Sequence, residues 1–196
     1  MHAKVYSATT IGIAAHLVEV EVDLSYGLLQ FFIVGLPDKA IKESRDRIKA
    51  ALKNCGFQLP QRLITVNLAP ATLKKEDVLF DVPIAVTIML AAHLVELTPD
   101  FIEETLFLGE LSLDGKVRSV CGALSIAHAM RRLGKRRLII PKANAAEASL
   151  IKDIEIIGIN DLVELVGYLR DGTTISSEPS RFEGIIFLFI FFTFTL

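Results

Sequence analysis

Six consecutive residues, Val18-Glu19-Val20-Glu21-Val22-Asp23, alternate an apolar β-branched side chain with a carboxylate. Extended backbone sends successive side chains to opposite faces, so the three valines share one face of a strand and the three acids the other. A helix would scatter the same residues around its circumference. The segment therefore demands a sheet with one face buried and one face wet. Around it, residues 3–35 carry further strand patterning, and Tyr26-Gly27 forms a turn into the apolar run Leu28–Val34.

Downstream the period changes from two to 3.6. Ile41, Ile48, Ala51, Leu52 and Cys55 fall on one stripe of a helix, with Asp38 as its cap after Pro37 and Gly56 as its stop. Leu63–Leu68 is a short strand, and Thr72–Asp77 a polar connection to a largely buried helix over Ile84–Leu94. Leu106–Leu113 and Lys116–Val120 flank Asp114-Gly115, the signal of a two-residue hairpin, which leads into a helix over Gly122–Leu133. Strand Leu138–Ile140, helix Ala143–Ile151 and strand Ile154–Ile157 follow, then a helix over Asp161–Leu169 capped by Asn160 or Asp161. Strands first, then alternating helices and strands, predict an α+β or α/β domain over residues 1–170, and 171–183 has linker composition.

Residues 184–196, GIIFLFIFFTFTL, carry no charge. As a helix this segment would span about 20 Å, short of the roughly 30 Å hydrocarbon core, so it predicts no stable membrane span. It is expected to be foreign to the domain, as a shifted reading frame would make it. The amino terminus lacks a signal-type apolar stretch, and Cys55 and Cys121 have no metal-ligand spacing, which together suggest a cytoplasmic protein. A net charge of -2 argues against a protein that coats nucleic acid.

The most tempting phosphate motif fails on spacing. Gly109 to Val117, GELSLDGKV, has five residues between its glycines instead of four and Val117 where a magnesium-binding hydroxyl belongs. His2, His16, His93 and His128 are scattered, and no metal site is expected. Two basic clusters remain. Lys39, Lys42, Arg45, Arg47, Lys49 and Lys53 suit a solvated helix face, with Glu43 and Arg47 as an i,i+4 pair. Arg131, Arg132, Lys135, Arg136 and Arg137 crowd a helix carboxyl end, where they complement the dipole and are candidates for weak DNA contact; Lys74 and Lys75 are weaker candidates.

Several separated segments together resemble one family. Ala8–Gly12, VGLPDKAI at Val34–Ile41, VNLAPATL at Val66–Leu73, Lys74-Lys75-Glu76, FDVPIA at Phe80–Ala85, and GELSLDGKVRSV running into Gly122-Ala123-Leu124 are similar to the amino-terminal Lon-protease-like domain of the ComM/YifB, magnesium-chelatase-like family. The resemblance implies an α+β fold of the ribosomal-protein-S5 second-domain type, a mixed sheet with packed helices. It also implies that such a domain is followed by an AAA+ ATPase, that ATP and magnesium belong to that module, and that the whole forms hexamers acting in DNA branch migration during natural transformation. The chain is expected to end where that module would begin.

A Lon-type peptidase needs a serine activated by a buried lysine. By the resemblance, the serine belongs in the connection Glu76–Asp81, which has neither Ser nor Cys, and the lysine just after Leu124, where Ser125 stands. A degenerate peptidase is thus the second reading, behind a non-catalytic domain. Asp77 departs from the family, which places Gly there. Without a phosphate loop, the chain should show no saturable binding of magnesium-ATP in isothermal titration; a micromolar site would refute that reading.

Overall fold

The computed structural model describes residues 1–35, 39–73, 75 and 79–172, with the side chains of 39, 40 and 42 excepted. Asp38, Lys74, Asp77, residues 173–183 of the linker and the apolar tail lie outside the described residues, and Asp171 of the expected linker belongs to the last helix. A seven-stranded mixed sheet organises the chain, in the order β3-β4-β2-β1-β5-β8-β9. Its strands are β1 (His2–Ile11), β2 (Ala14–Ser25), β3 (Gln30–Val34), β4 (Leu63–Ala69), β5 (Thr105–Phe107), β8 (Arg137–Pro141) and β9 (Glu155–Ile159), and a separate pair is formed by β6 (Glu110–Leu111) and β7 (Val117–Arg118). The helices are α1 (Lys39–Asn54), α2 (Asp81–Ala91), α3 (Pro99–Glu104), α4 (Ala123–Arg132), α5 (Lys142–Ala148) and α6 (Leu162–Asp171). The class is α+β. Only β2 runs against its neighbours, pairing antiparallel with β1 and β4, while β3–β4, β1–β5, β5–β8 and β8–β9 are parallel.

The alternation at 18–23 does what its period requires. Val18, Val20, Val22 and Leu24 are buried, as are Leu68, Val66 and Ile64 opposite the last three, whereas Glu19, Glu21 and Asp23 keep contact with solvent. At the other end of the sheet, Leu106, Phe107, Leu138, Ile139, Ile140, Ile156 and Ile157 are all buried, as expected for parallel strands covered on both faces. One sheet thus has a half-wet antiparallel wing and a dry parallel wing.

α2 starts at Asp81, three residues before the predicted Ile84, because Pro83 fits the first turn of a helix, where an amide has no intrahelical partner anyway. It is buried all round and lies against β1 and β2. α3 was not foreseen, although Thr98-Pro99 announces it: the Thr98 hydroxyl accepts the Phe101 amide at 3.2 Å, with proline in the first turn. α6 begins on a reciprocal cap, since Asp161 accepts the Glu164 amide at 2.8 Å and the Glu164 carboxylate accepts the Asn160 amide at 2.6 Å.

The predicted hairpin is smaller than expected. Only Glu110–Leu111 and Val117–Arg118 pair antiparallel, and β5 belongs to the large sheet between β1 and β8. Leu106 and Phe107 are drawn into the dry wing because both their faces can be covered there. The chain then turns out at Gly109, whose φ of 155° leaves room for no side chain: a Cβ would meet Val82 at 2.7 Å and Val117 at 2.8 Å.

A buried ion pair joins this hairpin to two helices. Arg47 on α1 donates two hydrogen bonds to Asp81, at 2.7 and 3.1 Å, and Asp81 also accepts the Leu111 amide at 3.0 Å. The predicted solvated face of α1 is therefore wrong at Arg47, which turns inward because a fully buried carboxylate needs a counter-charge. Burial pushes the Asp81 carboxyl above its usual range, and the guanidinium opposes that shift. Asp81→Ala should cost about 3–5 kcal/mol, because it strands a half-buried cation. Urea denaturation should also show a smaller loss for the double variant Arg47→Met/Asp81→Leu, which removes both charges.

Candidate functional site

The structure divides the basic candidates into exposed and internal groups. At the end of α4, Arg131 is 59% exposed and only 3.9 Å from a solvent-facing Asp153, and Arg136 is 77% exposed at 3.2 Å from Glu104. Arg132 is exposed and has no carboxylate partner among the described residues. Arg137 is engaged at the start of β8, 2.8 Å from Glu155 and stacked 4.5 Å over the Phe101 ring. Lys135 is not on the surface. Its ammonium lies 3.4 Å from the centre of the Tyr6 ring and donates to the Glu103 carbonyl. The Tyr6 hydroxyl donates to the Glu103 carboxylate at 2.8 Å, which closes the cluster.

Lys75 must also leave the list of surface cations. It is fully buried, and its ammonium donates to the carbonyls of Gly35 and Leu68, both at 2.9 Å, and of Pro70. Burial lowers its pKa, and three carbonyl acceptors use all three of its protons. Gly35 is part of the same construction, since a Cβ there would stand 2.2 Å from the Leu68 carbonyl oxygen. A side chain held this way cannot reach phosphate. Lys74 lies outside the described residues.

This buried lysine directly precedes the connection where the resemblance puts a serine, and its ammonium bonds to backbone carbonyls and to no hydroxyl. Ser125 is half-buried on α4, one turn from His128. Lys116 lies in the turn of the small hairpin, 3.5 Å from Asp114. The nearby amino terminus of α6 is already occupied: the Leu162 amide donates to the Gly115 carbonyl and the Glu164 amide to Asp161. Two of the first-turn amides that would cradle a phosphate are thus spent within the chain. No group of three metal-ligating side chains occurs among the described residues, and no described helix is long and apolar enough to cross a membrane.

Sequence reasoning missed the Arg47–Asp81 pair and the internal roles of Lys75 and Lys135. Spacing carries no signal for contacts across 34 or 40 residues. It also missed a surface cavity of about 530 Å³ beside α4, onto which Ser125, His128 and Arg132 face. One sign of it was present, because these positions repeat on one helical face.

A mixed-sheet α+β domain with a greasy central helix, an internal lysine and an arginine-rich helix end defines the class, and the comparisons define the family. The family described as subunit ChlI of Mg-chelatase matches residues 20–144, and the chain belongs to it. It is 43% identical to a competence protein ComM of Haemophilus influenzae over 168 residues, 86% of this chain and 32% of that protein. It is 40% identical to YifB, an uncharacterised protein of Escherichia coli, over 75% of this chain and 28% of that one. An uncharacterised protein of Mycobacterium tuberculosis is 39% identical over 89% of this chain and 34% of its own length. The chain spans about a third of the length of these relatives.

Lys75→Met keeps the length of the side chain but leaves three carbonyls without a donor. It should lower stability by at least about 1–3 kcal/mol, read as a drop in Tm, while leaving any DNA affinity unchanged.

Proposed function

We propose that this chain is the non-catalytic amino-terminal domain of a ComM-like AAA+ protein, with the ribosomal-protein-S5 second-domain fold that the resemblance implies. In this reading it is an assembly and DNA-engaging accessory in branch migration, and ATP and magnesium are used by the motor module alone. Membership of the ChlI family and similarity to a protein named for competence support it. The observation that carries the DNA part is the set of exposed arginines, Arg131, Arg132 and Arg136, at one end of α4. The peptidase alternative has less support, because the buried lysine spends its protons on carbonyls.

Contact through phosphates is sequence-independent and releases counterions, so it weakens with salt. Three arginines limit the slope of log affinity against log salt to about -2.7 on duplex DNA. The chain carries a net charge of -2, so avidity in a ring is needed to reveal such binding. Fused to a hexameric scaffold, the wild type should bind duplex DNA with that shallow slope. Arg131→Ala/Arg132→Ala/Arg136→Ala should flatten it without loss of fold, since exposed helix-end charges contribute only about 0.3–1 kcal/mol each. Equal affinity and slope for both fusions would end the DNA role of this surface.

A further inference from the structure

The surface beside those arginines has a second chemistry. The turn between β1 and β2 carries Ile13, 92% exposed, over the start of α4, where Leu124 is 38% exposed. With Leu150 and Ile151, which follow α5, these side chains wall a cavity of about 530 Å³. Ser125, His128 and Arg132 complete it from one face of α4, with Arg132 at the helix end. An isoleucine almost wholly in water at a turn that glycine already shapes has no use in the fold of the isolated domain. Grouped apolar side chains of this kind, rimmed by polar ones, mark contact surfaces.

Charge selects the occupant. None of the residues lining the cavity is acidic. The carboxylates nearby are engaged, Glu147 accepting the Leu124 amide at 3.3 Å and Asp153 lying 3.9 Å from Arg131. Arg132 is left with an exposed guanidinium and no carboxylate partner among the described residues, and His128 stands one turn before it. A floor that takes apolar side chains, beside a free fork of donors that takes a carboxylate, fits an amphipathic helix with an acidic flank. A nucleic-acid strand would bring charged phosphates over Ile13 and Leu124, which offer them nothing.

From this geometry we infer that the groove between the β1–β2 turn, α4 and the segment after α5 is a docking site for an acidic amphipathic helix of a protein partner. The helix seats leucine-like anchors on Ile13, Leu124, Leu150 and Ile151, and its flanking carboxylate pairs with Arg132. The site shares only Arg132 with the proposed DNA surface, so the two readings can fail separately.

The test uses the full 196-residue chain and a fluorescein-labelled peptide with leucines at i, i+3, i+4 and i+7 and glutamates on the flank. Fluorescence anisotropy should show it binding at least about tenfold tighter than its scrambled isomer, a difference of about 1.4 kcal/mol. Ile13→Ser and Leu124→Asp, both at exposed positions, should each weaken it by about tenfold with unchanged Tm. Arg132→Glu should reverse the preference toward a peptide with lysines in place of the glutamates, which a purely structural arginine would not do. Arg131→Glu/Arg136→Glu should leave peptide affinity intact while abolishing any DNA binding. Equal binding of the scrambled isomer, or no reversal at Arg132→Glu, would overturn the inference. So would a concentration-dependent dimer abolished by Ile13→Ser, which would make the occupant a second copy. Peptide binding that appears only after residues 184–196 are deleted would assign the groove to the chain's own tail and equally refute it.

Discussion

Asp81 sits at the amino end of the central helix with its carboxylate wholly withdrawn from water, and much of the structure is arranged to satisfy it. Arg47 reaches it from α1 with two hydrogen bonds, and the Leu111 amide reaches it from the small hairpin. The Val82 amide donates to the Gly109 carbonyl and the Gly109 amide to the Leu79 carbonyl, so the backbone is stitched at the same point. Three elements far apart in sequence are thereby held in one geometry. A buried ion pair is not a generous source of net stability, because desolvation consumes much of the Coulombic gain. Its value lies in direction: apolar packing alone would let α2 slide, whereas a bidentate fork accepts one placement.

The same logic governs the other internal cations. Lys75 ties the loop at Gly35 to the end of β4, and Lys135 ties the turn after α4 to Tyr6 and the end of α3. Each is a long apolar stem with a head that finds acceptors at depth. A count of basic residues along the chain therefore overstates the positive surface. Of the basic cluster at 131–137, Arg131, Arg132 and Arg136 remain outside, next to an apolar groove.

The two wings of the sheet explain where that surface can be. The antiparallel wing buries one face of alternating strands, and its other face carries Glu19, Glu21 and Asp23. The parallel wing is covered on both sides, with α5 against β8 and β9. The turn of the β1–β2 hairpin projects beyond the sheet and meets α4, which leaves Ile13 and Leu124 on a shared, uncovered edge.

Local period and local punctuation were enough to place most elements. Valines alternating with acids dictated β2, a 3.6-residue stripe dictated α1, and a cap at Asn160 or Asp161 placed the start of α6, because each of these depends on neighbours within a turn or a pleat. The grouped motifs at Val66–Leu73, Phe80–Ala85 and Gly109–Val120 were likewise sufficient to assign the family that residues 20–144 match. Apart from α3, whose Thr98-Pro99 start is local, and the first turn of α2, the missing or misplaced parts depended on distant partners. The strand at Thr105–Phe107 left its hairpin for a place between β1 and β8, which only the assembled sheet supplies. Lys75 and Lys135 looked like phosphate contacts until they were enclosed, Lys75 by nearby carbonyls and that of Gly35, Lys135 by the Glu103 carbonyl and the Tyr6 ring. The sequence by itself determined which segments are strands and helices and which faces are apolar. The tertiary structure decided which charges are internal, because burial is set by what the rest of the chain places overhead.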